Sequence, residues 1–184
     1  MAPFDPKLIS GARRQEPAAW DLLLQQHQLP LYVYVAELLH DKTAALDVVQ
    51  ETFANAVRHI GSLRDDSRFS SWLFGIAHQK CVQHWRRVRR TEEIFERDNE
   101  APADHPEGDA LDPRSLLLRQ EQAEEFFALV ERLPLPQRST LLLHVLEEFS
   151  LEDIAHVTAV PVGTVKSRLH HAKRALRLLL KETA

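Results

Sequence analysis

A strongly acidic segment in the middle of the chain limits what the rest can fold into. Glu92 to Asp112 holds nine acidic residues and a single base, Arg97, which gives it a net charge of −8. Its later part, Ala101 to Asp109, has two Pro, one Gly and no aliphatic side chain larger than Ala. Folding there would bury too little apolar surface to offset the lost chain entropy. We therefore predict a flexible linker at residues 92–112, with folded units before and after it.

The segments on both sides of this linker have the spacing of amphipathic helices. Leu and Ala recur at helical rather than alternating intervals, and the 184 residues include only 5 Gly. About 90 residues precede the linker and about 70 follow it, and each length suffices for a small helical domain. The sequence thus predicts an all-α protein of two helical domains, at residues 1–91 and 113–184.

Eight helices fit this pattern. They span Pro6 to Arg14, Pro17 to Leu39, Thr43 to Ile60, Ser70 to Arg90, Pro113 to Leu133, Pro136 to Glu148, Leu151 to Thr158 and Val162 to Lys181. A helical wheel predicts an apolar stripe of Leu46, Val49, Phe53, Val57 and Ile60 in the third helix, and of Val165, Leu169, Ala172 and Leu176 in the last. Pro161 can begin a helix but cannot continue one, so the last two helices have helix-turn-helix spacing.

The single cysteine and the lack of a long apolar run indicate where the protein works. Cys81 cannot form an internal disulfide, which favours a reducing compartment. The N-terminus has no basic stretch followed by an apolar one, and the longest apolar stretch, Leu29 to Leu39, is broken by Pro30 and Glu37. We expect a cytoplasmic protein without membrane insertion.

The net charge of −4, taken alone, argues against nucleic-acid binding. The negative charge belongs to the linker, however, because the chain without Glu92 to Asp112 carries +4. The last predicted helix holds six bases and no acid, which is the arrangement needed by a helix that enters the major groove. A solvated basic C-terminal helix is the alternative, but it does not account for the short helix and tight turn before it.

A second basic run, Lys80 to Arg90, has five bases and no acid. Bases and aromatic side chains also alternate just upstream, at Arg64, Arg68, Phe69 and Trp72. This mixture suits single-stranded DNA, whose backbone charges and exposed base faces both need partners. The alternative is a set of core aromatics beside a solvated helix end. Trp72 favours the DNA interpretation because its helix face is otherwise polar.

Patterns that would indicate a metal site or an enzyme are incomplete. His78, Cys81 and His84 step by three residues, which spreads them over about 120° of a helix, and Cys81 faces the predicted core. Glu37-Leu-Leu-His40 matches part of a di-iron carboxylate motif, but the chain has no second copy. Gly-rich phosphate loops and the common catalytic serine and zinc motifs are also missing. We predict no catalytic residues, no metal and no cofactor.

Four motifs follow one another along the chain. They are Asp47 to Phe53 (DVVQETF), Phe69 to Ala77 (FSSWLFGIA), Trp85-Arg-Arg87, and Ser150 to Ala155 (SLEDIA) with Val160 to His170. In this order they resemble the sigma-70 family of bacterial transcription initiation factors, in its small extracytoplasmic-function (ECF) type. The resemblance covers nearly the whole chain except the linker. It implies a specificity subunit of RNA polymerase that has only the second and fourth sigma domains.

The resemblance also implies roles for particular residues. It assigns docking on the clamp helices of the polymerase β′ subunit to Asp47, Gln50, Glu51 and Phe53. From spacing alone, these residues could form either a docking patch or a solvated helix face. It assigns recognition and melting of the −10 promoter element to Arg64, Arg68, Phe69, Trp72, Gln79, Gln83, Arg86 and Arg87. It assigns recognition of the duplex −35 element to Thr164, Lys166, Ser167, Arg168, His170 and His171, with Lys173 and Arg174 contacting phosphates.

The implied partners are the β and β′ subunits of core polymerase, promoter DNA and an anti-sigma factor. The acidic linker would pass through the polymerase toward the RNA exit channel, where its charge can imitate nucleic acid. His78, Gln79 and His84 stand where the family commonly has Arg, Asn and Asp, a departure that bears on −10 specificity. A stand-alone helix-turn-helix regulator is the alternative, but it would need neither the Asp47 to Phe53 segment nor the Trp72 face.

Overall fold

A computed structural model describes residues 5–95 and 125–183 of the chain. Within these ranges the backbone forms helices and no strand. The helices are α1 (Pro6–Arg13), α2 (Pro17–Leu39), α3 (Lys42–His59), α4 (Phe69–Phe95), α5 (residues 125–131), α6 (Leu135–Val145), α7 (Leu151–Thr158) and α8 (Val162–Thr183). Two short 3-10 turns, Ile60–Ser62 and Asp66–Arg68, connect α3 to α4. The all-α prediction is confirmed.

The ends of several helices follow from the residues beside them. Asp41 accepts hydrogen bonds from two first-turn amides of α3 at 2.9 and 3.0 Å, and Ser150 Oγ caps α7 in the same way at 3.1 Å. The residues that follow α2 and α7, His40 and Ala159, cap these helices in the left-handed region, with φ of 54° and 53°. The predicted limits of α2 and α7 are confirmed.

The buried face of helix α3 only partly matches the one that its wheel predicted. Its buried residues are Ala45, Val48, Thr52, Phe53 and Ala56. Leu46 is instead 52% exposed, and Val49 and Val57 are only half-buried. The predicted stripe is confirmed at Phe53 and Ile60, which are buried, and was wrong at Leu46. The buried face is shifted because α3 packs against both α2 and α4. The small side chains of Ala45 and Ala56 lie in these contacts, where they let neighbouring helices approach.

Helix α4 runs further than the sequence predicted. Its backbone is helical to Phe95, although Arg90 was the predicted end and Glu92 the start of the linker. Residues 91–95 include no Gly or Pro that would end a helix. The remainder of the predicted linker and the predicted helix start at Pro113 lie outside the described residues, so the domain limits stay predictions.

In the second unit, α5–α8, the last helix follows its predicted pattern, whereas α6 ends at Val145, three residues before the predicted Glu148. Val165, Leu169 and Ala172 of α8 are buried and Leu176 is half-buried, which confirms the predicted stripe. They pack over α6 and α7, where Ile154 is fully buried. The exposed face of α8 is thereby turned away from this small core.

The two units also pack on each other. α7 lies along α4, and α6 contacts α2. The rings of Phe74 and Phe149 meet edge to face at 5.3 Å across this boundary. The sequence did not predict this contact, because no local pattern pairs helices that are so far apart in the chain.

Candidate polymerase-docking and nucleic-acid surfaces

The predicted docking residues lie on α3, and three of the four reach solvent. Asp47, Gln50 and Glu51 are exposed, whereas Phe53 is 7% exposed and belongs to the core. Glu51 Oε2 accepts a hydrogen bond from Lys80 Nζ of α4 at 2.5 Å. This contact lowers the pKa of the Glu51 carboxyl. The face predicted for docking therefore exposes the two carboxylates of Asp47 and Glu51, and an ion pair ties it to α4.

A groove of about 390 Å³ lies between α3 and α4. It is lined by Ala44, Asp47, Val48, Glu51, Lys80, Gln83, His84 and Arg87. Asp47 and Glu51 were predicted for docking, and Gln83 and Arg87 for the −10 element. The structure thus brings predicted residues of two different functions to the two walls of one groove.

Four groove residues were missing from the predicted site: the apolar Ala44 and Val48, and the polar Lys80 and His84. Lys80 belongs to the basic run that the sequence showed, but its partner Glu51 lies 29 residues away. A helical wheel of either helix does not show such a pair. Only the packing of α3 against α4 identifies Lys80 as the link between the two surfaces.

The aromatic residues predicted to contact the −10 element differ in exposure. Phe69 is 3% exposed, and its ring centroid lies 6.5 Å from that of Trp20 and 5.9 Å from that of Trp72. Trp72 is half-buried, and Arg64 and Arg68 are exposed. The accessible members of this group are therefore Trp72 and the two arginines, with Phe69 packed beneath Trp72.

One face of α4 presents the polar side chains predicted for −10 recognition. The exposed residues are Gln79, Gln83, Arg86 and Arg87. His78 turns the other way: it is 9% exposed, and its Nδ1 lies 2.9 Å from Tyr34 Oη. Burial lowers the pKa of His78 to about 4, so the ring is neutral near pH 7. This departure from the family pattern therefore lies in the interior.

The outer face of α8 gathers most of the residues predicted for the −35 element. The exposed ones are Lys166, Ser167, His170, His171, Lys173 and Arg174. Thr164 and Arg168 are half-buried. α7 and the turn at Ala159 place α8 as the second helix of a helix-turn-helix, the position of the DNA-reading helix in that motif, and this basic face is exposed to solvent.

The structure offers no metal site within the ranges that it describes, since no three or more His, Cys, Asp or Glu side chains there are grouped to hold an ion. Cys81 is fully buried, and burial raises its pKa to about 12, so the thiol stays protonated. None of the described helices combines the length and the apolar character that a bilayer crossing requires.

Comparison with known proteins places both units in one family. The chain matches the sigma-70 region 2 family over residues 23–91 and the sigma-70 region 4 family over residues 123–176. It is 34% identical to the RNA polymerase sigma-H factor of Pseudomonas aeruginosa, covering 97% of this chain and 96% of that protein. It is 30% identical to the ECF RNA polymerase sigma-E factor of Escherichia coli K12, covering 94% and 92%.

Solved structures agree with these sequence matches. The sigma factor RpoE of Bartonella quintana, in complex with the anti-sigma factor NepR, superposes with a TM-score of 0.67 at 27% identity, covering 86% of this chain and 96% of that one. CnrH, in complex with the cytosolic domain of CnrY, shares the fold with a TM-score of 0.69 at 21% identity, covering 99% and 100%. The chain belongs to the sigma-70 family, as an RNA polymerase sigma factor of the ECF type. The region 2 match is what a stand-alone helix-turn-helix regulator would lack.

Proposed function

We propose that the chain is a dissociable specificity subunit of bacterial RNA polymerase that works in the cytoplasm and has no enzymatic activity of its own. The observation that carries this proposal is the groove between α3 and α4. It joins an exposed anionic surface to an exposed basic one. A protein that only bound DNA would gain nothing from an anionic wall beside its DNA-facing helix, because that wall repels phosphate.

The anionic wall is the proposed polymerase contact. Asp47, Gln50 and Glu51 would meet basic side chains on the clamp helices of the β′ subunit, in an interface whose on-rate benefits from opposite charge. Phe53 supports this face from below, since its ring is buried. The Lys80–Glu51 ion pair would hold the docking helix at a set position relative to the DNA-facing helix.

The −10 element is assigned to the start and the outer face of α4. Arg64 and Arg68, just before the helix, would contact the DNA backbone. Trp72 would stack on an unpaired DNA base, as aromatic side chains do in single-strand binding. Phe69 would position Trp72 rather than touch DNA. The residues that face the element along the helix would be Gln79, Gln83, Arg86 and Arg87.

The −35 element is assigned to α8. Polar side chains near the start of the helix would reach the edges of DNA bases in the major groove. The basic side chains further along would contact phosphates. The proposed contacts are Thr164, Lys166, Ser167, Arg168, His170 and His171, with Lys173 and Arg174 on phosphates. The half-buried Arg168 would have to become free for this role.

We also infer an anti-sigma partner, because both superposed sigma-like structures are complexes with another protein, named in one case as an anti-sigma factor. The β and β′ subunits of core polymerase and promoter DNA complete the proposed set of partners.

We further propose that the acidic segment at residues 92–112 imitates nucleic acid inside the polymerase. Replacing its acids with Ser should then weaken polymerase binding or initiation.

Run-off transcription with core polymerase tests the whole proposal. The purified chain should yield promoter-dependent transcripts from a library of upstream sequences, and core polymerase alone should not.

The double variant Asp47→Ala, Glu51→Ala should reduce polymerase binding. The matched control is Arg58→Ala, because Arg58 is an exposed residue of α3 outside the groove. Specific DNA binding without any polymerase binding would overturn the proposal in favour of a stand-alone regulator.

A further inference from the structure

Helix α1 lies outside the residues that match the sigma-70 region 2 family. The match begins at residue 23, whereas α1 ends at Arg13. α1 nevertheless packs against both 3-10 turns of the connection between α3 and α4, residues 60–68. Arg64 and Arg68 belong to this connection, and Trp72 lies in the first turn of α4. Helix α1 therefore contacts the part of the chain that carries the start of the proposed −10 surface.

A single guanidinium makes the main polar contact between α1 and this connection. Arg13 donates from Nη1 to the carbonyl of Ile60 at 3.2 Å, and from Nη2 to the carbonyl of Leu63 at 2.5 Å. The same Nη2 donates to Asp66 Oδ1 at 2.6 Å. The acceptors belong to the first 3-10 turn, to the link after it and to the second turn. Arg13 thus holds successive parts of one connection.

The acceptors are groups that an arginine suits better than a lysine. Ile60 follows the last residue of α3, at the helix end where carbonyls lack partners and the dipole favours a cation. The Asp66 carboxylate supplies an opposite charge, and hydrogen bonds to ionised groups are about twice as strong as neutral ones. The rigid planar fork of a guanidinium can bind several oxygens in a fixed geometry. Arg13 therefore restricts the path of the connection as well as balancing a charge.

Helix α1 is itself held firmly on α2. Trp20 of α2 donates from Nε1 to the carbonyl of Ala12 at 3.2 Å, and its ring packs against that of Phe69. Gly11 lies close against α2, since a Cβ added there would come within 2.9 Å of the Cβ of Ala19. The Arg13 side chain therefore extends from a helix that has little freedom to move, and it can act as an anchor.

The anchored connection carries side chains that DNA could reach. Arg64 directly follows Leu63, which Arg13 binds and which is only 5% exposed. Arg68 ends the second 3-10 turn, and both Arg64 and Arg68 are exposed. A segment that is ordered before binding loses less conformational entropy when its partner arrives. The bonds from Arg13 thus prepare the two exposed arginines for binding.

We propose that Arg13 is a positioning residue for the −10 element, which from α1 holds residues 60–68 in the shape that presents Arg64 and Arg68 to the unpaired strand. The effect on DNA rests on the proposed function, whereas the order that Arg13 imposes on the connection does not. Arg13 acts through the connection and does not touch a phosphate. The salt dependence of binding reports phosphate contacts, so the loss of Arg13 should leave that dependence unchanged.

Arg13→Gln tests this role, and Arg14→Gln is the matched control. Arg14 is the next residue, is exposed, and pairs with Glu16 instead of the connection, so both variants lose one positive charge. Binding of the polymerase complex to fork-shaped DNA with an unpaired −10 strand should weaken about tenfold in Arg13→Gln, the effect of losing a hydrogen bond to a charged group. In Arg14→Gln it should change less than about twofold.

The salt dependence of the same binding separates positioning from direct contact. A positioning residue leaves the slope of the logarithm of the binding constant against the logarithm of salt concentration as it is in the parent. A fall of about one in the magnitude of that slope in Arg13→Gln would identify a phosphate contact and overturn the proposal. Equal affinities for the parent and Arg13→Gln would overturn it as well.

Amide hydrogen exchange on the free full-length chain measures the order of the connection directly. Residues 60–68 should exchange faster in Arg13→Gln than in the parent or in Arg14→Gln, while α8 should exchange alike in all of them. Unchanged exchange at residues 60–68 would contradict the proposal. Failure of the parent to bind polymerase or fork-shaped DNA would count against the proposed function instead, and the exchange rates would still show whether Arg13 holds the connection.

A milder variant keeps the proposal testable if Arg13→Gln does not fold. Arg13→Lys keeps the charge but not the planar fork, so it should show part of the loss in DNA binding and part of the faster exchange. Asp66→Asn weakens the same contact from the other side, and its effect should not add to that of Arg13→Lys. Parental behaviour of Arg13→Lys, or fully additive effects of the two changes, would overturn the proposal.

Discussion

The proposed −35 surface and the groove between α3 and α4 are built in different ways. The proposed −35 surface lies on one helix, α8, whose inner stripe packs on its own unit and leaves a basic outer face. The groove takes its two walls from different helices and is held by an ion pair between residues 29 positions apart. A surface on one helix can be recognised from periodicity, whereas a surface between helices requires their packing.

The largest expected effect tests whether Phe69 is part of the core or part of the DNA contact. Phe69→Ala should cost about 3–5 kcal/mol of unfolding free energy, the usual range for a buried aromatic residue. Urea denaturation followed by circular dichroism measures this loss. A stable Phe69→Ala protein that had lost promoter melting would show that the ring acts on DNA instead.

Trp72→Ala tests DNA binding, rather than folding stability, at the aromatic cluster of Phe69 and Trp72. Because the Trp72 ring is half-buried, its removal should weaken binding of a −10 single strand by up to about 3 kcal/mol, the upper range for base stacking on an aromatic ring. Equilibrium binding of the polymerase complex to a fork-shaped DNA measures this change. Trp72→Phe is the control and should keep most of the affinity, since it keeps a stacking surface.

The buried His78 should make the first unit sensitive to acid. Its pKa is about 4 in the folded chain and about 6.5 in an unfolded one. The unfolded state therefore binds the proton more readily, and stability falls as the pH drops below about 6.5, down to about pH 4. Between pH 7 and pH 5 the loss should be about 2 kcal/mol.

Urea denaturation at several pH values, for the parent and for His78→Asn, measures this contribution. The substituted protein should lose part of the acid sensitivity. His27, whose pKa burial also lowers to about 4, should account for another part. An unchanged pH profile in His78→Asn would show that the buried ring does not control it.

Arg174→Ala should give a smaller and simpler effect on the second unit. Arg174 is exposed and is proposed to contact a phosphate, so its loss should weaken binding to −35 DNA of any sequence by about 1 kcal/mol. The slope of the logarithm of the binding constant against the logarithm of the salt concentration should fall in magnitude by about one. Stability should be unchanged. A loss confined to one promoter sequence would indicate a base contact instead.

The smallest expected effect concerns the ion pair across the groove. Lys80→Gln should cost about 0.5 kcal/mol, because the Glu51 side chain is 66% exposed and exposed pairs contribute little. Lys80 lowers the pKa of the Glu51 carboxyl, so the pair stabilises at neutral pH and fades as the pH falls through that lowered pKa. The difference in unfolding free energy between parent and Lys80→Gln should shrink accordingly in acid.

Local patterns predicted the helices well and their packing less well. The limits of α2 and α7 and the stripe of α8 follow from caps, prolines and periodicity. The wheel of α3 was right at Phe53 and wrong at Leu46, which is large and apolar yet exposed, whereas Ala45 and Ala56 are buried where α3 packs against neighbouring helices. Side-chain size alone does not tell which face two neighbours cover.

By itself the sequence determined the helical class, the helix-turn-helix, the two basic helices and, through four ordered motifs, the family. These features depend on residues close together in the chain, which short-range physics places in a definite local geometry. Only the tertiary structure decided that Phe69 and His78 face inward, that Lys80 meets Glu51, and that α7 covers α4. Those contacts join distant segments, and burial and charge pairing act there only after the helices have packed.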